Sequence, residues 1–70
     1  MLVLEYARRQ KKITQTRLSV AAGILQQHIS DMELGKVWPT PAQRARLARL
    51  LDVAPEHLLD EIELKEPVSA

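Results

Sequence analysis

The chain contains no cysteine and no phenylalanine, one tryptophan, one tyrosine and two glycines among its 70 residues. Without cysteine there is no disulfide and no thiolate metal site, and two histidines are too few to build a structural zinc site. No apolar run approaches the ~20 residues that a membrane span needs. The start does not read as a signal peptide, because Arg8, Arg9, Gln10, Lys11 and Lys12 follow the first few apolar positions. No membrane partner is therefore expected, and these absences suit the cytoplasm. The scarcity of glycine leaves no phosphate-cradling loop, and Ser19, Ser30 and Ser69 lie in no nucleophile-elbow context. The acidic residues show no metal-ligand spacing. The expectation is a protein that is not an enzyme and uses no cofactor.

What is present is mostly leucine, alanine, valine and isoleucine, a mixture weighted toward helix formers. Seventy residues make one small domain. A core of that size supplies roughly 3–5 kcal/mol of net stability without a further staple, so the helices must pack economically or a partner subunit must add buried area. The formal net charge of +1 is unevenly spread. Residues 1–60 hold nine Lys/Arg against six Asp/Glu, and residues 61–70 hold Lys65 against Glu61, Glu63 and Glu66. Arg8, Arg9, Lys11, Lys12 and Arg17 form a basic cluster that suits a phosphate backbone or, equally, a solvated helix face.

Periodicity predicts a first helix over residues 2–11, with Leu4, Ala7 and Arg8 on one side. Thr14 is a good N-cap for a second helix from Gln15 to about Ala22, with Leu18, Ala21 and Ala22 as its inner stripe. Gly23 ends it, since glycine reaches the left-handed conformation without steric penalty. A third helix is expected from about Gln26 to Leu34, with Leu25, Ile29 and Met32 as a core stripe and Gly35 as its stop. Two helices joined by a tight glycine-containing turn form a helix-turn-helix. Thr40-Pro41-Ala42-Gln43 carries both a proline at the first helical position and a Thr-x-x-Gln capping box. The fourth helix then runs to about Leu51, with Leu47, Ala48 and Leu51 inward and Arg44, Arg46 and Arg49 mostly outside. Pro55 opens a short fifth helix through Leu58 and Leu59. "EIELKEPVSA" reads as a short strand, a helix extension or a frayed tail. The fold class is all-α, with a helix-turn-helix domain over 1–61 and a tail over 62–70 that is either a dimer arm or disordered.

The third helix has an unusual outward side. Gln26 and Ser30 are four apart, as are Gln27 and Asp31, and both pairs lie opposite Leu25, Ile29 and Met32. That face offers amide, hydroxyl and carboxylate groups and no lysine or arginine. It serves solubility poorly and suits the reading of base edges, because a glutamine presents a donor and an acceptor that match adenine N6 and N7. The start of the second helix, at Thr14 and Gln15, favours a phosphate. Lys36, just past the third helix, is within reach of the backbone on the other side, and Arg17 and His28 complete the phosphate candidates. Such contacts set register while the glutamines read sequence.

Thr14-Gln15, Leu18, Ala22-Gly23-Ile24, Ile29-Ser30 and Glu33-x-Gly35 resemble the signature of the Cro/C1-type helix-turn-helix family, the phage-repressor and XRE-like regulators. The similarity runs on through "WPTPAQRARLARLLDVAPEHLL" and covers roughly residues 2–60. It implies a compact five-helix, lambda-repressor-like domain. It further implies that Gln15 touches a phosphate and braces the recognition helix. Gln26 and Gln27 would contact bases, with Ser30 or Asp31 next along the groove, and Lys36 would contact phosphate. Arg8 and Glu33 occupy positions that often form a partly buried ion pair. The chain departs from the pattern at Leu25, where Ser or Thr usually caps the third helix, at Ser19 for alanine, at Asp52 for glycine, and at Asp31, which brings a negative charge toward DNA.

The resulting expectation is a double-stranded DNA-binding transcriptional regulator, a repressor acting as a homodimer on a palindromic operator. Its subunit contact is sought first at the fifth helix and tail and second around Trp38, which either packs the loop onto the domain, the reading slightly favoured, or sits at that contact. Two rivals stay open. One is an antitoxin with the same DNA-binding fold and a protein partner; the other is a protein-interaction module that does not bind DNA, since fold alone does not fix function.

Overall fold

The computed structural model describes residues 1–62. They form four α-helices and one 3₁₀ turn: α1 Val3–Gln10, α2 Gln15–Ala22, α3 Gln26–Glu33, α4 Pro41–Leu51, and the turn Pro55–His57. The part expected of the tail falls, from residue 63 onward, outside the described residues. The expected fifth helix is not an α-helix. The Leu58 carbonyl accepts the Leu4 N–H at 2.9 Å and the Asp60 carbonyl accepts the Val3 N–H at 2.9 Å. The Ile62 N–H, which a continuing helix would give to the Leu58 carbonyl, goes to the Met1 carbonyl instead, and the segment stops after one tight turn with i→i+3 bonds.

The bonds from Val3 and Leu4 explain how α1 begins. Its N-cap, Leu2, has no side-chain acceptor, so the first N–H groups of the helix need partners from elsewhere. The returning chain supplies them, and Leu2 also forms an isolated antiparallel bridge with Glu61. The Ile62 N–H donates to the Met1 carbonyl at 2.7 Å. The two ends of the described chain are thus tied by backbone bonds.

All four α-helices finish with the same device. A residue with positive φ follows the helix, and the next N–H reaches back to a carbonyl five residues earlier. Those bonds run from Ile13 to Arg8, Ile24 to Ser19, Lys36 to Asp31 and Val53 to Ala48, at 3.2, 3.0, 2.8 and 3.0 Å. The left-handed residues are Lys12, Gly23, Gly35 and Asp52. Two are the chain's glycines, and two carry a Cβ into a conformation that disfavours it.

The core comprises Leu4, Ala7, Leu18, Ala22, Ile24, Ile29, Met32, Leu47, Leu51 and Leu58. Three sequence expectations fail here. Ala21 is exposed: the buried arc of α2 runs from Leu18 through Ala22 to Ser19, and Ala21 falls on the far side of Leu18. Ser19 accepts burial because its hydroxyl donates to the Thr16 carbonyl at 2.7 Å. Leu25 is 71% exposed, because it is the N-cap of α3, where the chain has not yet entered the helix and the wheel does not apply. Trp38 is 78% exposed and does not pack into the core; in this loop Pro39 takes the inward position instead.

Candidate nucleic-acid interface

α2 and α3 are joined through Gly23, Ile24 and Leu25. Gly23 sits at φ +66°, and Ile24 turns into the core. The turn is held from a third direction as well. Arg46 of α4 donates from Nη1 to the Ala22 carbonyl at 2.7 Å, satisfying an acceptor at the C-terminal end of α2. The sequence assigned Arg46 to a solvated face together with Arg44 and Arg49. Nothing in the local sequence sets Arg46 apart from Arg44 and Arg49 on the same helix.

The start of α2 is also secured. Thr14 accepts the Arg17 N–H at 3.1 Å, which leaves other first-turn N–H groups without helical partners. Gln15 does not simply point outward, because its amide donates to Glu33 Oε1 at 2.9 Å. Glu33, at the end of α3, also receives Arg8 Nε on Oε2 at 2.5 Å and Arg8 Nη2 on Oε1 at 3.1 Å. Arg8 spends its remaining nitrogen on the Ile13 carbonyl at 2.8 Å. The pair is buried, with Arg8 8% and Glu33 6% exposed. No buried side-chain polar atom among the described residues is left without a partner. α1, α2 and α3 are thereby locked through one carboxylate.

This lock determines what α3 presents. Ile29, Met32 and Glu33 face in, and the negative charge of Glu33 is matched by Arg8. Gln26, Gln27 and His28 are exposed, and Ser30 and Asp31 are half-buried. Asp31 is then the single formal charge on the outward side of the helix. Gln27 Nε2 donates to Asp31 Oδ1 at 3.2 Å along the helix. Arg17 and Lys36 are exposed on either side of α3 in the chain, and the Lys36 N–H closes the end of the helix on the Asp31 carbonyl. α3 has no side-chain cap at its start, so its first N–H groups share the open end with Gln26 and Gln27.

Beside this face lies an apolar one. Leu34, Val37 and Trp38 are exposed large hydrophobic side chains, as are Val20 and Leu25 elsewhere in the chain, and Val37 and Trp38 line a shallow hollow with Leu2, Met32, Gly35 and Leu59. Among the described residues, no group of three or more His, Asp or Glu is arranged to hold a metal ion. No helix among them is long and apolar enough to cross a membrane.

Comparison with known proteins gives one finding. The family model described as helix-turn-helix matches residues 4–58, from the first core leucine of α1 to the leucine that closes the 3₁₀ turn. No curated protein matches the chain.

Proposed function

The chain belongs to the Cro/C1-type helix-turn-helix family of DNA-binding regulators, and on that basis we propose that it is a sequence-specific transcriptional repressor that reads the major groove with α3. The observation that carries this reading is the outward side of α3, where two adjacent glutamines stand in solvent at the helix start with no lysine or arginine on the helix. An α-helix fits the major groove, and residues at its N-terminal end reach the base edges. Gln26 and Gln27 supply the amides for adenine, and Ser30 and Asp31 follow one turn on, the carboxylate suited to cytosine N4. Thr14, Gln15, Arg17, His28 and Lys36 supply the phosphate contacts that set register. Such a regulator works where the DNA is, in the cytoplasm.

One small domain neutralises few phosphates, so two copies on a palindrome serve affinity better than one. Their recognition helices would lie about 34–36 Å apart, one turn of the duplex. The exposed apolar trio Leu34, Val37 and Trp38 supports a subunit contact there. The same trio favours the antitoxin reading, in which a protein partner covers it. Self-association of the purified chain supports the first, and a co-purifying second polypeptide the second.

Affinity for random duplex DNA, measured at two salt concentrations, tests the proposal. A DNA-binding domain loses affinity on a log–log slope of about −0.9 for each phosphate it neutralises, and Lys36→Ala makes that slope shallower by about one unit. A flat dependence would mean a protein-interaction module that has kept the fold.

A further inference from the structure

The bond between Gln27 and Asp31 has a consequence for base choice, and it rests on the DNA-reading role proposed above. A glutamine amide has two faces, a carbonyl oxygen that accepts and an NH₂ that donates. An unrestrained glutamine flips its amide and offers either to a base. Gln27 is restrained. Its Nε2 donates to Asp31 Oδ1 at 3.2 Å, and the flipped amide would set Oε1 against the carboxylate, acceptor facing acceptor. Asp31 makes no ion pair with any lysine, arginine or histidine among the described residues. The Gln27 amide is therefore the donor available to it from this helix face.

Exposed to water, such a bond holds little. In a groove from which water is displaced it matters more, because a carboxylate stripped of water and left without a donor is costly. Docking against DNA thus strengthens the tie between Asp31 and Gln27. What Gln27 then presents is one acceptor, Oε1, and one remaining N–H. Adenine offers the complement of that pair, the N6 donor beside the N7 acceptor, whereas guanine offers two acceptors, O6 and N7. Guanine is tolerated by a glutamine that can turn its NH₂ toward both and is opposed by one whose oxygen is held in place.

We propose that Asp31 is a positioning residue for specificity: by fixing the orientation of the Gln27 amide it makes that position select adenine and reject guanine. The carboxylate does this without touching the selected base, and its second oxygen remains available to the neighbouring base pair.

The test is selection from random duplexes with four forms of the full chain: wild type, Asp31→Asn, Gln27→Ala and the double variant. Asparagine keeps the shape but can either accept from Gln27 Nε2 or donate to Gln27 Oε1, so it serves both amide orientations. Thermal melts that match wild type establish that Asp31→Asn is folded. The expected result is that the adenine-to-guanine ratio falls by about tenfold in Asp31→Asn at the one position that loses its preference in Gln27→Ala. Preferences hold at positions other than this one and the neighbouring base pair that the carboxylate itself faces, and Asp31→Asn has no effect at the Gln27 position in the Gln27→Ala background. Removing a charge near phosphates would by itself raise affinity for all sequences alike. A uniform rise with the ratio unchanged would overturn the inference while leaving the DNA-reading role intact. A wild type with no preference at any position would overturn both.

Discussion

The guanidinium of Arg8 meets the carboxylate of Glu33 across 25 residues of sequence, through two contacts, with both side chains almost closed to solvent. The pair joins the first helix to the end of the third, and Gln15 adds the second helix by donating to the same carboxylate. The outward side of α3 is therefore aimed by a network lying behind it, in which Gln26 and Gln27 take no part.

Removing Glu33 should damage the fold before it touches recognition. Glu33→Ala leaves a buried guanidinium without its counter-charge and the Gln15 amide without its acceptor. Breaking a buried pair from one side costs about 3–5 kcal/mol, comparable to the roughly 3–5 kcal/mol that a domain this small holds in total. Thermal unfolding followed by circular dichroism should show most of the helix lost at room temperature. A melting curve like that of wild type would mean the pair is dispensable.

Leu25→Ser should stabilise the protein. Leu25 caps α3 with no side-chain hydrogen bond and little of it is buried, so its removal sacrifices little apolar contact. A serine hydroxyl at that position, where the backbone is already extended at φ −59° and ψ 140°, can accept an orphan N–H of the first turn. The expected gain is about 1 kcal/mol, a rise of roughly 4–8 °C in melting temperature for a domain of this size. A fall would show that Leu25 covers apolar surface worth more than the cap.

Lys12→Gly should also stabilise, for a different reason. Lys12 sits at φ +57° after α1, in the place that Gly23 and Gly35 fill after α2 and α3. Glycine removes the Cβ clash but adds freedom to the unfolded chain, and the net gain should be about 0.5–1 kcal/mol. Urea unfolding reads this as a higher midpoint with an unchanged slope. Asp52 occupies the same conformation after α4 and gains less from glycine, since its carboxylate meets Lys11 Nζ at 3.0 Å and aspartate tolerates this region better than lysine.

What could be read from the sequence was chemistry confined to a few neighbouring residues. Thr40 and Gln43 form the reciprocal capping box that their spacing announced, with Pro41 opening the helix. Thr14 and Gly23 bound α2 where expected. Arg8 and Glu33 could be paired only through resemblance to a family, since nothing in their local sequence links them. Where partners are distant, residue order was silent. The start of α1 depends on carbonyls more than fifty residues away, and the expected fifth helix stops at a single 3₁₀ turn, with the Ile62 N–H given to the Met1 carbonyl. Arg46 is exposed, as expected of it, but its bond to the Ala22 carbonyl depends on α2 ending beside it. For Trp38 the sequence leaves loop packing and a subunit contact both open, and the inward place in the loop goes to Pro39. On the candidate interface, the spacing of Gln27 and Asp31 put them on one side of a helix. It could not say that the amide and the carboxylate would bond.

The central claim is that the outward side of α3 reads base edges, and the most direct measurement is the sequence profile selected from random duplexes by wild type, Gln26→Ala and Gln27→Ala. Each variant should keep the profile elsewhere and lose preference at one or two adjacent base pairs, at a cost of about 1–3 kcal/mol for each bidentate contact removed. Profiles that match wild type at every position, whatever happens to overall affinity, would contradict the account.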